Sequence, residues 1–156
     1  MPVRVEEAQL QERGRVAGVA IAEYTMRSME RWRRNLADYD GAMIMVAVIA
    51  IGAGRLLRTG FPPSYRSLAE PIDPSLLAKV NIASIAHATG LNRETARRRV
   101  NHLVDRGLLA RSADGGVGFS PGLTQESRVR EQIQGQLREI AAIANQLLRL
   151  GVLAED

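Results

Sequence analysis

Gly90 is the residue that most constrains what this chain can fold into. It stands between two stretches whose apolar residues keep helical spacing, Ile82, Ile85 and Ala86 before it and Ala96, Val100, Leu103 and Val104 after it. Each stretch opens on an asparagine, Asn81 and Asn92, whose side-chain oxygen suits an N-cap. A glycine at the junction admits the left-handed conformation in which a helix stops and the chain turns sharply. Leu91 then returns the chain to the core. Glu94 falls in the first turn of the second helix, where a carboxylate meets the positive end of the helix dipole. Gly107 ends that helix, and Leu108 and Leu109 begin an extended segment. "SADGG" carries Asp-Gly turn chemistry, and "VGFS" returns as a second strand with Val117 and Phe119 on one face. The expected order is helix, sharp turn, helix, β-hairpin.

Subtracting the inward stripe from the second helix leaves Arg93, Glu94, Thr95, Arg97, Arg98, Asn101 and His102 pointing elsewhere. The charge of the whole chain is concentrated here. Between Lys79 and Gly122 lie seven basic and three acidic residues, so this stretch holds the entire net charge of +4. Such local basicity is the electrostatic footprint of a nucleic-acid site. Arginine can bond guanine O6 and N7 together, and clustered cations neutralise phosphates. Arg99 lies beside the core stripe and is read as a bridge to Asp105 or to another helix. A merely solvated face remains the bland reading of the cluster.

The segment "IASIAHATGLNRETARRRVNHLVDRGLLAR…DGG" resembles the winged helix-turn-helix domain of bacterial transcription regulators, particularly the IclR and MarR families. The resemblance covers about a quarter of the chain. It implies a recognition helix over 92–106 in the major groove of double-stranded DNA and a wing over 110–120 on the backbone or minor groove. Carried over by position, it makes Arg93, Glu94, Thr95, Arg97, Arg98, Asn101 and Arg111 the DNA-binding residues. Thr95 would touch a phosphate or a thymine methyl, and Asn101 a phosphate. Glu94 would accept from a cytosine amine or hold Arg97 or Arg98. The IclR type carries a large C-terminal effector domain, whereas only a short segment follows Gly122. The MarR type flanks its wing domain with dimerisation helices and suits this length better.

Around this segment the sequence suggests further helices. Residues 6–36 mix charges with small apolar residues, and Met26, Met29, Trp32 or Arg33, and Leu36 recur at three- and four-residue steps. "GAMIMVAVIAIGAG" is fourteen residues long between Asp40 and Arg55, short of the roughly 20 that span a bilayer, and is read as a buried core helix. It would serve as the first helix of the winged domain. Gly52 and Gly54 mimic a phosphate-binding turn, but Leu57 stands where the third glycine is needed and no βαβ unit follows. Residues 59–75 hold four of the six prolines and form a connection, with Asp73-Pro74 suited to cap a short helix. Towards the C-terminus Ile133, Leu137, Ile140, Ala144 and Leu147 step by 4, 3, 4 and 3, with Arg130, Glu131, Arg138, Glu139 and Asn145 outside the seam. Two heptads are too short for an isolated coiled coil, so the seam packs within the chain or serves dimerisation.

The fold expected is mainly α with a small β-hairpin wing, a winged helix-turn-helix flanked by N- and C-terminal helices. Its segments are 1–60 helical, 61–75 connecting, 76–122 winged and 123–150 amphipathic helix. There is no cysteine, and His87 and His102 stand apart from any carboxylate cluster, so no metal, cofactor-binding or catalytic site is expected. With no Ser/His/Asp set or phosphate loop, an enzyme is not expected. With one Trp, three Tyr and two Phe, a base-stacking platform is poorly supplied. Tyr24, Trp32 and Tyr39 would line any pocket for a small-molecule effector. The start lacks the apolar region of a secretory signal, so a cytoplasmic homodimer that meets DNA and no membrane is expected. The alternative is a winged-helix interaction module whose arginine-rich helix docks on an acidic protein.

Overall fold

The computed structural model describes residues 2–156. The chain is mainly helical, with two small antiparallel strand pairs. In order come β1 (Val3–Val5), α1 (Glu7–Asn35), α2 (Tyr39–Thr59), α3 (Ile82–Thr89), α4 (Arg93–Asp105), β2 (Leu109–Arg111), β3 (Val117–Phe119), α5 (Ser127–Arg149) and β4 (Leu153–Glu155). Short 3-10 turns lie at Pro63–Tyr65, Pro74–Leu76 and Leu123–Gln125. Two compact units result, one of residues 1–31 with 131–156 and one of residues 32–130. This division cuts across the four segments read from the sequence, because the boundaries fall inside α1 and α5.

The unit of residues 32–130 is built on a continuous apolar core. Ile44 and Met45 of α2, Ile85 of α3, Val100 and Leu103 of α4, and Leu108 and Leu109 are almost fully buried together. Burial of each such side chain stabilises by roughly 1.5–3 kcal/mol. The helix ends form as the capping residues dictate. Asn81 Oδ1 accepts from Ser84 N at 2.9 Å, and Asn92 Oδ1 accepts from Thr95 N at 2.8 Å. Gly90 takes φ 72°, which breaks α3 from α4 without strain. Asp73 likewise accepts from Ser75 N at 2.9 Å and opens the 3-10 turn at Pro74. The hairpin pairs Leu109 with Phe119 and Arg111 with Val117, and Val80 adds a single bridge to Val117.

α2 extends beyond the fourteen-residue apolar run, by two residues at its start and five at its end. α2 spans 21 residues, is apolar and long enough to cross a membrane, and has less than half of its most apolar window buried. Its inner side packs in the core, and Gly41 lies so close to Ala37 that a Cβ there would come within 2.7 Å of the alanine Cβ. Its outer side carries Met43, Val46 and Leu57 in the open, so "buried core helix" describes one face only. Both faces are apolar, and composition alone cannot separate them. Gly52 lies mid-helix, where its carbonyl accepts from Ala78 N at 2.8 Å.

The unit of residues 1–31 and 131–156 is built differently. β1 pairs with β4, Val3 opposite Glu155 and Val5 opposite Leu153, which ties the two ends of the chain. The residues of α1 that are buried here are Ala17 and Ala20. Met26, expected on the inner stripe, is 61% exposed, because the small alanines set the close face instead. Of the rest of that expected stripe, Met29 is half-buried, and Trp32 and Leu36 belong to the core of the other unit. α5 meets α1 through Gln132, Gly135, Gln136 and Glu139. Gln136 donates to Ser28 Oγ at 2.6 Å and to Tyr24 Oη at 3.4 Å, and Arg31 bonds Glu139 at 2.5 Å. Glu139 therefore faces α1, not solvent as its place outside the seam suggested. The guanidinium of Arg31 lies flat on Gly135, leaving no room for a side chain there.

Candidate nucleic-acid interface

The solvent side of α4 is set by what its other side buries. Ala96, Val100 and Leu103 are inside, and the helical period then carries Arg93, Glu94, Arg97 and Arg98 to the surface, with Thr95 and Asn101 half-buried beside them. Arg111, at the end of β2, is exposed. Its guanidinium donates to Asn101 Oδ1 at 2.7 Å, so the hairpin and α4 present one surface. Asn101 thus positions Arg111 in the free protein.

Each cation has its own arrangement. Glu94 receives two bonds from Arg97, at 2.9 Å to Nε and 2.6 Å to Nη2, a fork-to-fork pair one turn apart. That pairing holds the Glu94 carboxyl below its ordinary range and raises Arg97. Both side chains are well exposed, so the pair is weak and readily exchanged. Arg99 is held from two sides by Asp38 at 2.9 Å and Asp40 at 3.0 Å. Its partner is another helix, α2, and not Asp105. Arg106 caps α4 and, although exposed, is tied by its guanidinium to the Leu36 carbonyl at 3.0 Å. Among the described residues Arg93 and Arg98 form no ion pair. A shallow depression of about 330 Å³ is lined by Arg98, Arg99 and His102.

The hairpin tip is fixed by Asp114. Its carboxylate accepts from Lys79 at 2.5 Å, from the Ser112 hydroxyl, and from Gly116 N at 3.1 Å. The Lys79 bond above all, then the Ser112 and Gly116 bonds, holds the Asp114 carboxyl far below the usual carboxylate range. Lys79 is raised in return. Sequence reasoning counted both charges but missed that they neutralise each other; residues 35 apart give no local signal.

The five seam residues of α5 divide. Ile133, Leu137 and Ile140 are 39%, 60% and 44% exposed, while Ala144 and Leu147 are half-buried. Packing within the chain uses the polar neighbouring face, so the seam is not consumed by it. The aromatic trio has separate surroundings: Tyr24 bonds Gln136, Trp32 packs on the core, and Tyr39 is 44% exposed. No family model, curated protein or solved structure matches this chain.

Proposed function

We propose that this chain is a winged helix-turn-helix transcription regulator that binds double-stranded DNA in the bacterial cytoplasm as a homodimer, without catalytic activity. The observation that carries the reading is the single surface formed by α4 and the hairpin, where, among the described residues, Arg93 and Arg98 form no ion pair, Arg97 is held by the exposed Glu94 and Arg111 by the half-buried Asn101. α4 enters the major groove, and Arg93, Arg97 and Arg98 meet guanine edges or phosphates. Glu94 is the specificity element: it releases Arg97 to DNA and accepts from a cytosine amine, at the expense of non-specific affinity. Thr95 and Asn101 flank it, and Arg111 meets the backbone or minor groove. The Ile133, Leu137, Ile140, Ala144 and Leu147 seam joins two copies, which places half-sites about 10 bp apart or a multiple of that.

One observation favours a second reading. Two arginines of α4, Arg97 and Arg99, already hold carboxylates, so the same face suits an acidic protein partner. Selection of duplexes from a randomised pool by the purified chain at about 150 mM salt separates the two. Recovery of an inverted repeat supports the regulator and its dimer. Retention of nothing, even at low salt, refutes it in favour of the protein partner.

A further inference from the structure

The outer face of α2 carries a pattern that the proposed function does not use. Tyr39, Met43, Val46, Ala50, Ala53 and Leu57 step by 4, 3, 4, 3 and 4, the 3.5-residue period of a helix–helix seam. Tyr39, Met43, Val46 and Leu57 are 44%, 42%, 41% and 80% exposed. Between Asp40 and Arg55 the helix has no charged residue. A solvated helix face of that length normally carries charge.

The spacing is the same read in either direction. Turned end for end about a point between Val46 and Ala50, the stripe sets Tyr39 against Leu57, Met43 against Ala53 and Val46 against Ala50. Bulk then meets small at the centre, and the alanines let two helix axes approach to about 8 Å. The charges match the same operation. The N-terminal end has Asp38 and Asp40 against the single Arg99, which leaves it net negative. The C-terminal end has Arg55 and Arg58, which form no ion pair among the described residues. Antiparallel packing brings each negative end to a positive one and opposes the helix dipoles favourably. An anionic lipid surface, by contrast, is repelled at the Asp38–Asp40 end.

We propose that this face of α2 is a two-fold, antiparallel interface with α2 of a second copy, in the register Val46 to Ala50. It is separate from the seam on α5. A chain with two self-complementary faces assembles beyond a dimer.

Because the chain has no cysteine, single cysteines report the register cleanly. Full-length Val46→Cys and Ala50→Cys proteins, tagged differently, are mixed and oxidised mildly. The antiparallel register predicts that the mixed disulfide predominates over both same-variant disulfides, since facing Cα atoms must lie within about 7 Å. Predominance of the same-variant products means parallel packing and overturns the proposal, as does the absence of any cross-link. In sedimentation, Ala50→Glu is expected to lower the assembly mass by half or more, and an unchanged mass in a folded variant overturns it. Leu137→Glu is expected to leave the 46–50 cross-link intact, which separates this face from the α5 seam. Flotation of the parent chain with phosphatidylcholine vesicles, abolished by Ala50→Glu, makes the face a lipid surface and also overturns it.

Discussion

The two units of this protein bury different things. The unit of residues 32–130 encloses Ile44, Met45, Ile85, Val100, Leu103, Leu108 and Leu109, and what it leaves outside includes the cations of α4. The unit of residues 1–31 and 131–156 encloses Ala17, Ala20, Gln132 and Gly135, and leaves outside Val16, Val19, Met26, Ile133, Leu137 and Ile140. One has a continuous apolar core inside, with only the outer side of α2 left apolar in water. The other is held by close small residues and a polar ladder, with its large apolar side chains still in water. The first holds together on its own core and leaves one apolar face, the outer side of α2, in water, whereas in the second many of the large apolar side chains stay outside.

Core truncation breaks this comparison most sharply. Leu103→Ala is expected to cost about 2–5 kcal/mol in denaturant unfolding, because it opens a cavity among fully buried neighbours. Leu137→Ala, 60% exposed, is expected to cost a dilute monomer almost nothing and to weaken association, seen as a lower sedimentation mass. Equal losses in monomer stability from the two would erase the distinction. A smaller effect comes from the polar ladder. Glu139→Ala leaves the Arg31 charge without a partner against Gly135 and is expected to destabilise by about 1–3 kcal/mol, discounted because Arg31 is 31% exposed. Glu139→Gln should recover part of that loss by keeping the hydrogen bond.

On the other unit's surface, substitution is expected to spare stability and change binding. Arg98→Ala should lower duplex affinity about tenfold to a hundredfold with an unchanged unfolding midpoint. The smallest effect is on pH. The Asp114 carboxyl is depressed in the folded chain, so its contribution is present above the ordinary carboxylate value of 3.8 and fades as pH falls below it. Relative to its intrinsic exchange rate at each pH, the Gly116 amide is expected to lose protection there, and in Asp114→Asn at neutral pH. Protection unaffected by either change would separate the tip from this carboxylate.

The difference between the units also explains what the sequence made legible. In the larger unit the signals are local. Asn81, Gly90, Asn92 and Gly107 mark helix ends by their own chemistry, and Ala96, Val100 and Leu103 mark the inner face by spacing. The exposed set on α4 follows by subtraction. In the smaller unit the signals are distant or faint. β1 and β4 pair across nearly the whole chain, and nothing in three residues of each announces the other. Ala17 and Ala20 have too little hydropathy to outweigh Met26 in a periodicity, although closeness of approach is what matters there. Charge reads as solvation, so Glu139 falls outside the seam until Arg31 is seen to face it. Partners were equally hidden on α4, where Arg99 is anchored to Asp38 and Asp40 some sixty residues away.

The α4 surface carries the functional claim, and its salt dependence tests that claim most directly. Binding of a selected duplex by the full chain and by Arg98→Ala would be measured across a range of salt concentrations. The account predicts a linear fall of log affinity with log salt, the variant weaker throughout, and a slope lower by about one if Arg98 meets a phosphate or unchanged if it reads a base. Identical curves for the two proteins, or no binding at the lowest salt, would contradict it.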